Sequence, residues 1–130
     1  IKRKYVTNIN KDYIKIIEKK TGALFEASTR TGAIIGGGSL NEVESLAKYG
    51  RNVGKAFQIR DDILDSASKE TSIQANKQEK ALIENLTVEY LQNFALEVVE
   101  EAKFSIRGLR QSVHKDLLLK IADFSVERLC

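Results

Sequence analysis

Three aspartates stand close together near the middle of this 130-residue chain, at positions Asp61, Asp62 and Asp65. If they lie on a helix, they share one face with Gln58, because side chains three and four residues apart are neighbours there. Such a cluster suits a hard divalent cation such as Mg²⁺, which prefers oxygen ligands and often bridges carboxylates to substrate phosphates. The alternative is an acidic helix end in solvent, and the surroundings of the motif have to decide between the two.

A long helix over residues 39–65 is predicted to carry the aspartates. Ser39 and Glu42 have the spacing of a capping box, which marks a helix start. Asp61 interrupts the apolar stripe of this helix, which predicts a polar cavity beside it, and replacing Leu64 by alanine is expected to lower stability. The stripe itself is predicted to consist of Val43, Leu46, Gly50, Val53, Phe57 and Leu64.

A second helix is predicted over residues 21–35. Small side chains allow a close approach, so its small-residue face is predicted to pack against the helix that carries the aspartates. The two helices should line a cavity, a frequent place for ligand sites in bundles. The glycines at positions 36–38 are predicted to end the second helix. The small-residue face consists of Ala23, Ala27, Ser28, Thr31, Gly32 and Ala33.

The rest of the chain also has helical rather than strand-like periodicity. Apolar residues recur at helical spacing over residues 5–18, 82–109 and 113–129. Residues 66–78 are polar and without a period, so a loop or a gap in the chain is predicted there. We therefore expect a single all-α domain over residues 1–130, built as a helix bundle.

Composition narrows the function classes. Hydrophobic residues make up 42% and charged residues 30%, as in ordinary globular proteins, and the net charge of +3 is too small to indicate nucleic-acid binding. No apolar run reaches the roughly 18 residues of a membrane span. The single cysteine, Cys130, fits a reducing cytoplasm. Since the chain has no methionine, we expect it to be a portion of a longer product.

A few residues that could carry chemistry are predicted to be structural. His114, the only histidine, stands at a predicted helix start and far along the chain from the aspartates, so a surface position is expected. Tyr49 and Tyr90 are predicted at the edge of the core. None of the three is expected to take part in a reaction.

Three segments of the chain occur in an informative order: Lys20-Thr21-Gly22, then Gly36-Gly37-Gly38, then Phe57 to Asp65 with the pattern Phe-Gln-x-x-Asp-Asp-x-x-Asp. In this order they resemble the trans-isoprenyl (polyprenyl) diphosphate synthases. Residues 119–128 are similar to the closing helix of that family. The resemblance implies a helical bundle of the isoprenoid synthase type, of which this chain is the C-terminal half.

The resemblance also implies a reaction, in which isopentenyl diphosphate is condensed with an allylic prenyl diphosphate through Mg²⁺-assisted ionisation. Asp61, Asp62 and Asp65 match the second acidic motif of the family, which helps to hold Mg²⁺ against the allylic diphosphate. Lys20 matches a lysine that contacts the same diphosphate. Such a prenyltransferase is expected to be a homodimer or a hetero-oligomer.

Three further residues match positions that meet the substrates in the family. Thr21 and Gln58 match neighbours of the reacting bond and of the diphosphate. Phe57 matches an aromatic side chain beside the homoallylic substrate. The resemblance therefore implies that Lys20, Thr21 and Gln58 act in catalysis and that Phe57 helps to bind substrate.

The chain departs from the family pattern in two respects. The family has two facing acidic motifs, and a Gly-Lys-x-x-Gly-x-Asp segment follows the second. Here one motif is present and residues 66–70 read Ser-Ala-Ser-Lys-Glu. With half a site, the 130 residues alone are expected to be inactive.

Three hypotheses follow: the C-terminal half of a polyprenyl synthase, a non-catalytic subunit of similar sequence that modulates a catalytic partner, or a structural helical domain with an accidental acidic cluster. The first is favoured, because a retired subunit would not need to keep the whole set of matching polar residues. That set is Lys20, Gln58, Asp61, Asp62 and Asp65.

Overall fold

The structure is a computed structural model that describes residues 11–69 and 77–127, with side chains for residues 11–65 and 87–127. Helices make up nearly all of this part of the chain, and no strand occurs in it. The all-α prediction is therefore confirmed. Among these helices, none combines the length and the apolar composition that crossing a bilayer requires.

The helices follow one another in a simple order along the described residues. Residues 11–17 form α1, which passes through a π-helical turn, Glu18–Gly22, directly into α2. The sequence predicted a break between two separate helices at this point, and the chain instead continues without one. The remaining bounds are Ala23–Ile35 for α2, Leu40–Lys69 for α3, Lys77–Ser105 for α4 and Val113–Phe124 for α5.

The connection between α2 and α3 follows the local signals in the sequence. Gly37 has a φ of +76°, a conformation that glycine adopts without steric cost, and it turns the chain at the end of α2. The capping box is present: the backbone N–H of Ser39 donates to Glu42 Oε1 at 2.8 Å, and that of Glu42 donates to Ser39 Oγ at 3.2 Å. Both hydrogen bonds satisfy amides that have no partner inside the helix.

Close contact between α2 and α3 depends on two glycines of α3. A Cβ atom at Gly50 would stand 2.6 Å from the carbonyl oxygen of Phe25, and one at Gly54 would stand 2.8 Å from that of Thr21. The prediction that the small residues of α2 make this contact is wrong. Five of the six are exposed, and a Cβ added at Gly32 would meet nothing within 4 Å.

The core lies where α3 packs against α4 and the end of the chain around α5. From α4, Ala95, Val98, Val99, Ala102 and Ile106 are buried in it. From α3, it takes Tyr49, Val53, Ala56, Ile59 and Ile63, with Ile59 0% exposed. Tyr49, expected at the edge of the core, is 2% exposed, and its hydroxyl donates to the carbonyl oxygen of Leu118 on α5 at 2.5 Å.

The predicted stripe of α3 is therefore wrong at its C-terminal end. The side of α3 that meets the core runs through Ile59 and Ile63, and the predicted stripe followed the neighbouring side that meets α2. Leu64 is 41% exposed, so it is not a core residue. Asp61 does not interrupt the core, and the inference of a cavity from that interruption fails.

Both ends of the segment 66–78, for which a loop or a gap was predicted, are helical. Helix α3 continues to Lys69, and α4 begins at Lys77. Residues 70–76 lie outside the described residues. The position of His114 is as predicted, since it is exposed in the first turn of α5.

Candidate functional site

Lys20 and Thr21 lie in the π-helical turn, where the backbone N–H of Ala23 donates to the carbonyl oxygen of Glu18. A π-helical turn has i→i+5 hydrogen bonds and so holds one residue more than an α-helical turn. Such turns occur often at functional sites. The π-helical turn is therefore a structural indication, in addition to the residue types, that the Lys-Thr-Gly segment belongs to a functional site.

The extra residue changes the angle between the side chains of Tyr13 and Thr21. In an uninterrupted α-helix, Tyr13 and Thr21 would point about 80° apart, since each residue turns the helix by about 100°. With one additional residue in the turn, the difference falls to about 20°. Both side chains consequently face α3, where Tyr13 contacts Asp62 and Thr21 contacts Gln58.

A chain of hydrogen bonds joins these four side chains. Thr21 Oγ1 donates to Gln58 Oε1 at 2.6 Å, and Gln58 Nε2 donates to Asp62 Oδ1 at 3.0 Å. The hydroxyl of Tyr13 donates to the other carboxylate oxygen, Asp62 Oδ2. Thr21, Gln58 and Asp62 were predicted as site residues, and the structure brings them into direct contact. Tyr13 was not predicted.

Tyr13 is a stable donor to Asp62. Its ring is partly buried, and burial, together with the neighbouring Asp62 carboxylate, raises the pKa of the Tyr13 hydroxyl above its ordinary value of 10.0. The group therefore keeps its proton at neutral pH. The sequence signal that could have identified Tyr13 is weak, because a tyrosine at helical spacing among isoleucines indicates core packing first.

Asp61 and Asp65 differ from Asp62 in their surroundings. Asp61 is half-buried, and within the described residues its carboxylate has no hydrogen-bond or ion-pair partner, while Asp65 is exposed. Oxygen donors of this kind fit a Mg²⁺ ion. Among the described side chains, no three metal-ligating groups converge on one point. An ion at Asp61 would thus need further ligands from substrate oxygens, water or another segment.

Lys20 lies beside this group of polar residues, in the same turn as Thr21. Its side chain is exposed, and no hydrogen bond or ion pair holds its ammonium group to any other described residue. Lys55 on α3, by contrast, forms an ion pair at 2.8 Å with Glu18, which lies in the same turn as Lys20. Of these two cations, Lys20 is the one with its charge uncompensated.

Phe57 lies one residue before Gln58 and packs on two neighbours. Its ring centroid is 5.9 Å from that of Phe25 on α2. The guanidinium carbon of Arg60 lies 4.5 Å from the ring centroid of Phe57. Arg60 also contacts α5, because its Nη1 donates to the carbonyl oxygen of Phe124 at 3.3 Å. Sequence reasoning missed Arg60, although its position three residues after Phe57 places it on the same helix face.

At Gly50 and Gly54 the backbones of α2 and α3 are too close for the cavity that was predicted between the two helices. A cleft of about 1010 Å³ lies instead along the first half of α3 and the end of α4. Its basic residues include Arg51, Lys55 and Lys103, each of which is already paired with a carboxylate. This cleft is separate from the polar chain that contains Gln58 and Asp62.

Comparison with known proteins gives a consistent result. A profile described as Polyprenyl synthetase matches residues 2–114 of the chain. The geranylgeranyl diphosphate synthase of Methanosarcina mazei is 32% identical, with 97% of this chain and 50% of that protein aligned. The octaprenyl diphosphate synthase of Haemophilus influenzae is 27% identical over 90% of this chain and 49% of that protein.

A solved structure supports the same relationship. The crystal structure of a polyprenyl synthase from Roseobacter denitrificans superposes with a TM-score of 0.77 and 25% identity, covering 92% of this chain and 53% of that one. The chain spans about half the length of the curated relatives it matches. The fold is thus shared over nearly all of this chain.

Proposed function

Since the chain belongs to the polyprenyl synthetase family, we propose that it is part of a trans-prenyltransferase that condenses isopentenyl diphosphate with an allylic prenyl diphosphate. One observation carries the proposal. The hydrogen-bonded chain Thr21–Gln58–Asp62 adjoins Lys20 and Asp61 in the sequence, and neither of these two charged groups has a partner among the described residues. A phosphorylated substrate with a divalent cation provides the charges that such an arrangement lacks.

We assign Mg²⁺ binding to Asp61, Asp62 and Asp65. The oxygen donors fit this ion, and the Asp61 carboxylate forms no hydrogen bond or ion pair with any other described residue. When bound, Mg²⁺ neutralises charge on a departing diphosphate. Because three convergent ligands are not found among the described side chains, the diphosphate itself and a segment with the family's other acidic motif would complete the coordination.

The remaining residues are assigned to the substrate. Lys20 binds a diphosphate oxygen through its exposed ammonium group. Thr21 and Gln58 lie at the reacting end of the allylic substrate and orient polar atoms there through their 2.6 Å hydrogen bond. Phe57 offers an aromatic face to the homoallylic substrate, on the side of α3 where Phe25 and Arg60 also pack.

The complete enzyme requires more than these residues. We propose that a segment bearing the other acidic motif belongs to the same polypeptide or to a partner subunit. The assembly is a homodimer or a hetero-oligomer, and the cytoplasm is the compartment that fits a sequence with one cysteine. The 130 residues alone would not catalyse the transfer, because one acidic motif cannot hold the metal ions from both sides of the substrate.

The test is condensation of labelled isopentenyl diphosphate with allylic diphosphates by the full-length protein. We expect turnover that requires Mg²⁺. In Asp61→Asn the turnover should fall about 100-fold or more, where each tenfold fall corresponds to about 1.4 kcal/mol of lost transition-state stabilisation. Asp116→Asn is the matched control, because Asp116 is an exposed aspartate on α5 that accepts a hydrogen bond from Gln111.

Two outcomes would contradict the proposal. If Asp61→Asn turns over at the wild-type rate, the metal assignment fails. If the full-length protein has no activity of its own but raises the activity of a second synthase, the non-catalytic alternative is correct.

A further inference from the structure

Tyr13 is the member of the hydrogen-bonded chain to which neither the family motifs nor the proposed function assigns a role. Its hydroxyl donates to Asp62 Oδ2, and the two residues are 49 positions apart in the sequence. Tyr13 lies in α1, before the π-helical turn that contains Lys20 and Thr21. The contact therefore joins the start of the described chain to the acidic motif of α3.

The two oxygens of Asp62 have donors on different helices. Gln58 donates to Oδ1 from the preceding turn of α3, and Tyr13 donates to Oδ2 from α1. One hydrogen bond would leave the carboxylate able to rotate about it, whereas two from different directions fix its plane. A carboxylate has about four acceptor sites in all, so both oxygens keep a lone pair that can meet a metal ion.

The π-helical turn favours this arrangement. With its extra residue, Tyr13 and Thr21 point about 20° apart instead of about 80°. With it, Thr21 orients Gln58 while Tyr13 reaches Asp62. Both contacts act on the Asp62 carboxylate, Tyr13 directly and Thr21 through Gln58.

We propose that Tyr13 is a positioning residue, which holds the Asp62 carboxylate in the orientation that binds Mg²⁺ together with a diphosphate. This inference rests on the proposed function, since it assumes that the acidic motif binds metal. Partners of metal-binding carboxylates commonly have this effect, and their removal typically costs 10- to 100-fold in metal affinity or activity.

The test compares two tyrosine-to-phenylalanine variants of the full-length protein. Tyr13→Phe removes only the hydroxyl that contacts Asp62. Tyr49→Phe removes a hydroxyl that is equally engaged, with the carbonyl oxygen of Leu118, and lies in the core away from the aspartates. Any effect of losing a buried hydrogen bond in general should appear in both variants.

Three quantities are measured: the Mg²⁺ concentration for half-maximal rate, the KM for isopentenyl diphosphate, and the Mg²⁺-dependent affinity for inorganic diphosphate by calorimetry. In Tyr13→Phe we expect the Mg²⁺ requirement to rise and the diphosphate affinity to fall, each about 10- to 100-fold, with KM unchanged. In Tyr49→Phe we expect a lower melting temperature and an unchanged Mg²⁺ requirement.

The outcomes separate this inference from the proposed function. If the wild-type protein is active and Tyr13→Phe has the wild-type Mg²⁺ requirement and diphosphate affinity, the positioning role is wrong and the function stands. An equal rise of the Mg²⁺ requirement in both variants also overturns it. If the wild-type protein binds Mg²⁺ and diphosphate without condensing substrates, the function fails, and calorimetry still decides the role of Tyr13. If it binds neither, both fail.

Discussion

Thr21 donates a 2.6 Å hydrogen bond to the side-chain oxygen of Gln58 across the contact between the π-helical turn and α3. Because the amide oxygen of Gln58 accepts this bond, its amide nitrogen faces Asp62, to which it donates at 3.0 Å. The Gln58 amide thus links the π-helical turn to the Asp62 carboxylate, and its orientation is set by the bond from Thr21. Two residues that the sequence places 37 positions apart act as one unit.

Replacing Gln58 by leucine should remove both the hydrogen bond from Thr21 and the hydrogen bond to Asp62. Leucine has a similar size but no polar atoms, so Thr21 loses its acceptor and Asp62 loses a donor. We expect kcat/KM of the full-length protein to fall about 10- to 100-fold, the range found when a partner of a metal ligand is removed. The control is Gln111→Leu, at an exposed glutamine before α5, which should keep the wild-type value. Equal kcat/KM in both variants would contradict the role of Gln58.

Two glycine-to-alanine changes should have opposite effects on stability. Gly54→Ala places a methyl group 2.8 Å from the carbonyl oxygen of Thr21, so α2 and the π-helical turn must move away from α3. We expect a loss of about 1–3 kcal/mol in the free energy of unfolding, as for other overpacked sites, together with a loss of prenyl transfer. Gly32→Ala meets nothing within 4 Å in the middle of α2 and should gain up to about 1 kcal/mol.

Both free energies are measured by denaturant unfolding of the full-length protein. A stable and active Gly54→Ala variant would show that the close approach of the π-helical turn to α3 is not required. A loss of stability in Gly32→Ala would show that the small-residue face of α2 is covered after all.

Alanine substitutions at Ile59 and Leu64 distinguish the observed core from the predicted stripe. Ile59 is 0% exposed and its truncation leaves a cavity, so we expect a loss of about 2–5 kcal/mol in the free energy of unfolding. Leu64 is 41% exposed, and its truncation should cost about 1 kcal/mol. Denaturant unfolding of the two variants measures the difference. A larger loss for Leu64→Ala would mean that another segment covers this side of α3.

The ion pairs of Glu26 should make stability depend on pH in the acidic range. Hydrogen bonding to Arg51 at 2.6 Å lowers the pKa of the Glu26 carboxyl in the folded protein below its ordinary value of 4.5. The stabilisation is then complete above pH 4.5 and is lost as the pH falls through the lowered pKa. The difference in unfolding free energy between wild type and Glu26→Gln should therefore shrink as the pH falls below 4.5.

That difference is measured by denaturant unfolding at a series of pH values. Glu101→Gln serves as the control, because Glu101 is exposed on α4. A difference for Glu26→Gln that stays constant from neutral pH into the acidic range would contradict the contribution of the pair with Arg51.

Local patterns in the sequence were sufficient for the helix class and for placing four of the predicted site residues on one helix. Helical periodicity predicted an all-α chain, and the Ser39–Glu42 spacing predicted the start of α3 to within one residue. Gln58, Asp61, Asp62 and Asp65 could be placed on one helix face because neighbours on a helix are set by residue spacing alone. These features depend on contacts within a few residues of the chain.

Contacts between distant residues were decided only by the tertiary structure. The side of α3 that forms the core depends on where α4 packs, so Ile59 and Ile63 take the place of the C-terminal part of the predicted stripe. The π-helical turn adds one residue without any change in composition that would reveal it. It aligns Tyr13 more closely with Thr21, and Tyr13 contacts Asp62. Spacing determines which residues share a helix face, but the packing of the other helices determines what that face contacts.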